Sequence, residues 1–367
     1  MKVVIRADAS AQIGSGHIMR CLTLAKGLAG IGAKVSFVCR ELPGNICGLI
    51  EGKGFKVYLL PYQETELKVA SGTKTYEQWL GASKEKDAKE TAGIIASLPR
   101  PDWLVIDHYA IDIVWEALLR PLTKRIMVID DLADRSHDCD ILLDQNLFER
   151  PEGRYDKLVD ERCKMLLGPK FMLLRPEFIE ARKTRRIRSG RIERVLVFFG
   201  GSDPTNETTK TLKALRDPVF KDIKIDVVVG GSNVRKDDIK GLCSGMANVS
   251  FYCQTDLMCD LMSKADLAIG ACGTTAWERC SMGLPAIVIV TAENQAEIAA
   301  NLDRLGAIVN LGRTEDAGEG DISKKLLELM HSPEKLKTLS LKAGQITNGS
   351  GTDEVVKEMR DNVFLRD

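Results

Sequence analysis

Ile13-Gly14-Ser15-Gly16-His17-Ile18-Met19-Arg20 follows the short apolar run Val3-Val4-Ile5 and precedes Leu22, Leu24, Ala25, Leu28 and Ala29, spaced along one face of a helix. That order predicts strand, glycine turn, helix, the opening unit of a doubly wound α/β domain. Glycines let such a turn bend sharply, and the helix start presents N–H groups to negative charge. The dinucleotide pattern G-x-G-x-x-G is not completed, because Met19 and Arg20 stand where a third glycine would close it. The stretch instead carries His17 beside the positive end of a helix dipole, which favours the neutral, proton-accepting imidazole that a general base needs. A histidine held in a purely structural turn is the plain alternative.

The chain has 367 residues, long for one hydrophobic core, so two domains are expected. Lys plus Arg equals Asp plus Glu at 52 each, which removes any overall positive field for nucleic acid or an acidic membrane. Lys2, Arg6, Asp8 and Gln12 interrupt the start, and no apolar run approaches the roughly 18 residues of a membrane helix, so a cytoplasmic protein without stable membrane association is expected. The ten cysteines form no C-x-x-C pair and only four histidines exist, so no metal site is expected. Most of the cysteines read as small buried residues.

Outward from the opening unit, apolar runs alternate with helical patterns. Strands are expected at Lys34–Cys39, Phe55–Leu60, Trp103–Asp107, Arg125–Asp130 and Cys139–Leu143, with a short helix at Pro43–Glu51 and others near Glu85–Ser97 and Asp112–Leu119. Pro61–Lys84 breaks the rhythm with Gly72 and an isolated Trp79 and reads as a loop or insertion near the sheet edge. Alternation of this kind predicts a parallel sheet whose ligands gather at the carboxyl ends of its strands. Gly14 to His17, Asp107, His108, Tyr109, Asp130, Asp131 and Asn146 should therefore share one rim.

The basic run Arg182–Arg188, ending at Ser189-Gly190, reads as a linker with a solvated helix end, in preference to a phosphate or RNA patch. The alternation then restarts, with strands expected at Arg194–Phe199, Ile223–Val229, Val249–Phe251, Leu267–Ile269 and Ala286–Val290. Closing helices follow near 323–330, 333–344 and 352–360. The organisation is thus 1–180 for an N-terminal Rossmann-like domain with the histidine loop, 181–350 for a C-terminal nucleotide-binding Rossmann-like domain, and 351–367 for a closing helix.

Two facing α/β domains bind ligands in the crevice between them, and the second shows three glycine-marked strand ends: Gly200-Gly201-Ser202-Asp203, Gly230-Gly231-Ser232 and Gly270-Ala271-Cys272-Gly273-Thr274-Thr275. The last opens a helix whose N–H groups and hydroxyls suit a diphosphate. Glu278, one turn on, suits ribose hydroxyls or is an exposed helix residue. Asn294 and Gln295 also lie at a helix start, as ligand contacts or as a helix cap. Ser15 with His108 would make a serine–histidine pair, but the G-x-S-x-G elbow is missing. His137 and His331 sit in polar, surface-like contexts.

These residues carry a resemblance. Arg6-Ala-Asp8, Ile13 to Arg20, Ile106-Asp-His-Tyr109, Asp140-Ile-Leu-Leu-Asp-Gln-Asn146, Gly168-Pro-Lys-Phe-Met-Leu-Leu-Arg175-Pro-Glu-Phe178, Gly200-Gly-Ser-Asp203, Thr274-Thr-Ala-Trp-Glu278 and Asn294-Gln295 stand in the order seen in a known family. Over about residues 1 to 310 the sequence resembles the UDP-2,4-diacetamido-2,4,6-trideoxy-β-L-altropyranose hydrolases of pseudaminic acid biosynthesis, relatives of the peptidoglycan N-acetylglucosaminyltransferase. The resemblance implies a GT-B fold of two Rossmann-like domains and hydrolysis of a UDP-sugar at its anomeric carbon with inversion, without metal or cofactor. It implies His17 as base on the attacking water and contacts from Tyr109 and Asn294. Gly14, Gly16, Thr274 and Thr275 match diphosphate positions, and Glu278 a ribose position. Asn146, Arg175 and Glu177 match motif positions in the crevice, and Arg20, Asp107, Gly201, Ser202 and Gln295 complete the substrate-binding set. The partner implied is a small-molecule UDP-sugar, with a monomer as the default state. A GT-B glycosyltransferase using a UDP-amino sugar donor and a non-catalytic nucleotide-sugar binder are the alternatives.

Overall fold

The computed structural model describes residues 1–10, 12–63 and 76–364. Half of the expected insertion Pro61–Lys84, residues 64–75, lies outside them. Contacts group the chain into two units, one of Met1–Asn146, Arg150–Leu173 and the segment from Gly351, the other of Leu147–Glu149 and Leu174–Ser350.

The first unit runs β1 (Lys2–Ala7), α1 (Gly16–Gly30), β2 (Lys34–Arg40), α2 (Cys47–Gly52), β3 (Lys56–Leu60), α3 (Lys84–Ala96), β4 (Trp103–Asp107), α4 (Ile113–Leu119), β5 (Ile126–Ile129), β6 (Ile141–Asp144) and β7 (Lys164–Leu167). The strands form one parallel sheet in the order β3-β2-β1-β4-β5-β6-β7. Alternate residues feed two cores: Val3, Ile5, Trp103 and Val105 pack with α1, while Val4, Leu104 and Ile106 pack with Leu80, Ile95 and Trp115. A sheet covered on both faces explains why its strands read as unbroken apolar runs. Truncating one core side chain such as Leu24 costs about 2–5 kcal/mol. The short helix begins at Cys47, not Pro43, because Leu42 to Asn45 close a turn in which the Asn45 N–H bonds the Leu42 carbonyl at 3.0 Å.

The second unit runs α5 (Pro176–Lys183), β8 (Arg194–Phe198), α6 (Glu207–Ala214), β9 (Lys224–Val229), α7 (Lys236–Ser244), β10 (Val249–Cys253), α8 (Met258–Lys264), β11 (Leu267–Gly270), α9 (Thr275–Ser281), β12 (Ala286–Val290), α10 (Ala296–Arg304), β13 (Val309–Arg313), α11 (Glu319–Met330) and α12 (Pro333–Gln345). Its parallel sheet has the order β10-β9-β8-β11-β12-β13. The change of unit falls near Leu174, a few residues before the expected 181, because α5 packs on α8 and α9. The final helix, α13 (Gly351–Phe364), packs back on α1 in the first unit. Gly27 makes that packing close: a Cβ there would lie 2.9 Å from Thr352 Cγ2. Trp103 Nε1 donates to the Met359 carbonyl at 3.2 Å.

The basic run is not a solvated linker. Arg182 and Arg185 donate to the Ser281 and Gly344 carbonyls, Arg186 to those of Ser263, Lys264 and Ala265, and buried Arg188 to those of Met262, Ala265, Met282 and Gly283. Helices leave their last carbonyls unpaired, and guanidinium forks satisfy them where the dipole favours a cation. Ile187, between these arginines, is 92% exposed.

Candidate active site

In the first sheet the strand order reverses between β1 and β4, so their carboxyl ends border the crevice where such sheets hold ligands. The loop after β1 leads through Gly14 and Ser15 into α1, and β4 ends at Asp107, paired in register with Ala7. Gly14 adopts φ +78°, which a side chain would strain, and its N–H bonds the Ser10 carbonyl at 2.9 Å. That tight loop sets Gly16 and His17 in the first turn of α1.

His17 Nδ1 lies 2.6 Å from Asp107 Oδ1, and Arg20, one turn along α1, forks onto the same carboxylate with Nη2 at 2.6 Å from Oδ1 and Nε at 2.7 Å from Oδ2. Cys21 Sγ adds a contact of 3.4 Å to Oδ2. Burial would raise the Asp107 carboxyl, but Arg20 and His17 outweigh it and hold the group well below the usual carboxylate range. An ionised Asp107 accepts from Nδ1–H and so assigns the tautomer, leaving Nε2 of His17 as the proton acceptor.

The network continues from Arg20 Nη1 to Asp131 Oδ2 at 3.1 Å, and Asn146 Nδ2 donates to the same oxygen at 3.0 Å. The Tyr109 ring meets the His17 ring edge-on at 4.7 Å, and burial and Asp131 raise its phenol. The first unit therefore gathers His17, Arg20, Asp107, Tyr109 and Asn146 around one chain of bonds. Asp107 is fully buried and Arg20 nearly so, and the two are paired with each other beside His17.

Sequence reasoning missed three participants. Trp79 is not an isolated loop residue, because its ring stacks on Tyr109 at 5.6 Å and stands 6.4 Å from His17. Asp144 sits among Tyr155, Arg154 and Asp131, where burial and Asp131 push its carboxyl up to about 8. Asp8, between Arg6 and His108, anchors a second buried network in which Arg6 and Arg40 share Asp87. His108 belongs to that network and not to Ser15: its Nδ1 accepts the Ala110 N–H at 3.1 Å, and burial pushes its imidazole down to about 4. His137, expected at the surface, is buried with Nδ1 2.7 Å from Glu116 Oε1. Charged and polar patterning alone carries no sign of these long-range pairings.

In the second sheet the order reverses between β8 and β11, which end at the Gly200 and Gly273 loops. A Cβ on Gly270 would lie 2.2 Å from the Phe198 carbonyl oxygen, so only glycine lets these strands close up there. Thr274 and Thr275 open α9, where the Ala276 and Trp277 N–H groups turn back onto the Gly273 and Thr274 carbonyls. Glu278 is buried, not an exposed helix residue. Its Oε1 accepts from Arg175 Nε at 2.7 Å, while its Oε2 meets no hydrogen-bond donor among the described residues. Burial raises its carboxyl despite the opposing pull of Arg175. Gln295 is a brace: its Oε1 takes the Cys272 N–H at 3.2 Å and the Thr291 N–H at 3.3 Å, tying the ends of β11 and β12. Asn294 lies in the short 3-10 helix Glu293–Gln295. Gly201 lies against the Gly230 backbone, its carbonyl accepting from Ser232 Oγ at 3.4 Å, and Ser202 is half-buried beside it.

Among the described residues, no group of His, Cys, Asp and Glu side chains is placed to hold a metal ion, and no helix is long and apolar enough to cross a membrane.

The glycosyltransferase family 28 C-terminal domain model matches residues 195–358. The chain is 29% identical over 305 residues to the uncharacterized protein MJ1062 of Methanocaldococcus jannaschii, covering 81% of this chain and 57% of that protein. It is 28% identical over 310 residues to the UDP-2,4-diacetamido-2,4,6-trideoxy-beta-L-altropyranose hydrolase of Campylobacter jejuni, covering 83% of this chain and 97% of that one. The crystal structure of Acinetobacter baumannii MurG superposes with a TM-score of 0.63 at 15% identity, over 98% of this chain and 99% of its own. The chain has the GT-B fold and resembles, over most of its length, the UDP-diacetamido-trideoxy-altropyranose hydrolase.

Proposed function

We propose that the protein binds a UDP-linked 2,4-diacetamido-2,4,6-trideoxyhexose and hydrolyses it at the anomeric carbon, releasing UDP and the free sugar. The observation that carries this reading is the His17–Asp107 bond, which leaves Nε2 as a positioned base at the end of a strand-turn-helix unit. In the reaction His17 Nε2 takes a proton from water as the water oxygen bonds to the anomeric carbon. The bond from that carbon to the phosphate oxygen breaks on the opposite face, its electron pair leaves with UDP, and the centre inverts. Asp107 steadies the imidazolium that forms, a role worth about 10²–10⁴-fold together with the base.

The second unit is assigned the nucleotide. The open Oε2 of Glu278 suits a ribose hydroxyl, which would supply the donor that this buried oxygen otherwise lacks. Gly14, Gly16, Thr274 and Thr275 are assigned to the diphosphate, and Tyr109, Asn146, Asn294, Gly201 and Ser202 to the remaining substrate contacts. The family 28 match favours a second reading, in which His17 deprotonates an acceptor hydroxyl in place of water.

Incubation of the protein with the UDP-sugar in ¹⁸O water, without acceptor, separates these readings. Hydrolysis places the label on the anomeric hydroxyl and none on UDP. An intact donor supports the transferase, and label on UDP contradicts attack at carbon.

A further inference from the structure

The chain is poor in aromatic residues, with four tryptophans and six tyrosines in 367 positions. Trp103, Trp115 and Trp277 are buried in the cores of their units, and Trp79 is the one left half-buried. It stands on the short 3-10 helix Tyr76–Leu80, which Leu80 anchors by full burial in the core and Lys84 ties through an ion pair with Glu77 at 3.1 Å. The following Gly81 takes φ +62°, and a Cβ on it would lie 2.6 Å from Leu42 Cδ2, so the helix is held tightly at its exit. The Trp79 ring stacks on Tyr109 at an interplanar angle of 28°, while Tyr76 meets Trp79 at 4.9 Å and Tyr109 at 5.0 Å, both edge-on. The His17 ring touches the same group.

A half-exposed tryptophan beside a titratable ring, rigidly supported but only partly covered, is not explained by core packing. We propose that Trp79 and Tyr76 form an aromatic wall that receives the apolar part of the sugar, its C–H face and methyl substituents, and so selects a deoxygenated, N-acetylated hexose over a fully hydroxylated one. The inference rests on the proposed UDP-sugar site and adds its specificity. The His17 ring stands 4.7 Å from that of Tyr109 and 6.4 Å from that of Trp79, and aromatic faces attract polarised C–H bonds while offering a sugar hydroxyl no hydrogen-bonding partner to replace water. The wall touches the sugar and not the nucleotide, so its removal should separate the two.

The test uses calorimetry in a His17→Gln background, which keeps the ligand intact, with UDP and UDP-2,4-diacetamido-2,4,6-trideoxy-β-L-altropyranose as probes. Trp79→Ala is expected to weaken UDP-sugar binding about 3- to 10-fold and leave UDP binding unchanged, with Trp79→Phe recovering part of the loss. Equal affinity of Trp79→Ala and its parent for the UDP-sugar, or equal weakening of both probes, overturns the wall. If the UDP-sugar is bound with this pattern but the wild-type protein does not release free sugar, the hydrolase reading fails and the wall stands. If the parent binds neither probe, both fail.

Discussion

His17 on the first turn of α1 and Asp107 at the last position of β4 are 90 residues apart, and they share a hydrogen bond of 2.6 Å because β1 and β4 are neighbours at the reversal of the sheet order. Removing the charge of Asp107 removes the reason for Nδ1 to carry the proton. Asp107→Asn is expected to lower kcat for UDP-sugar hydrolysis by about 10²–10⁴-fold while UDP still binds. Steady-state kinetics with calorimetric UDP titration checks this, and near-wild-type turnover would show that Asp107 does not orient the base.

Glu278 offers one oxygen to Arg175, and the other meets no donor among the described residues. Replacing it by Gln weakens an acceptor assigned to ribose and should raise the Kd for UDP about 10-fold or more, since a hydrogen bond to a charged group contributes about 1.5–3 kcal/mol. The wild-type protein should also bind 2′,3′-dideoxy-UDP more weakly than UDP, and Glu278→Gln should narrow that gap. An unchanged ratio between the two nucleotides would remove Glu278 from the ribose.

Two buried groups set opposite slopes of stability against pH. Asp144 has its folded value raised to about 8, so the folded chain holds a proton that the unfolded chain releases, and stability falls as pH rises from about 4 toward 8. His108 has its folded value lowered to about 4, so the unfolded chain holds the extra proton, and stability rises between about 4 and 6.5. Denaturant unfolding should show the stability of Asp144→Asn gaining on wild type as pH is raised through this range. His108→Gln should instead lose ground to wild type from pH 4 to 6.5. Parallel curves for either variant would contradict the assignment for that residue.

Arg188 donates to four main-chain carbonyls at 2.7–3.0 Å. Arg188→Met leaves those oxygens short of donors and should destabilise the chain by on the order of 3 kcal/mol, read by urea unfolding. A loss below about 0.5 kcal/mol, usual for an exposed substitution, would restore the solvated-linker reading.

The strand and helix rhythm was legible because parallel strands covered on both faces must be apolar, as Trp103–Ile106 and Ala286–Val290 are, every residue of each buried. The glycine turn was legible because Gly14 needs a backbone few residues adopt. What escaped was set by distance in sequence. Trp79 sits in a polar stretch, and nothing nearby signals that its ring will meet Tyr109 30 positions on. The arginines from 182 to 188 look like a solvated run, since their carbonyl partners come from helix ends 74 to 162 positions away. That Asp107 meets both His17 and Arg20 was not legible, because the contact depends on α1 carrying them in from the far side of the β1–β4 junction.

The central claim is that His17 activates the attacking water, and the most direct measurement is release of free sugar from the UDP-sugar by His17→Ala, without acceptor and with the variant's fold confirmed by circular dichroism. A fall in kcat of about 10²–10⁴-fold with UDP binding retained is the predicted result. Turnover within a few-fold of wild type by the folded variant would contradict it.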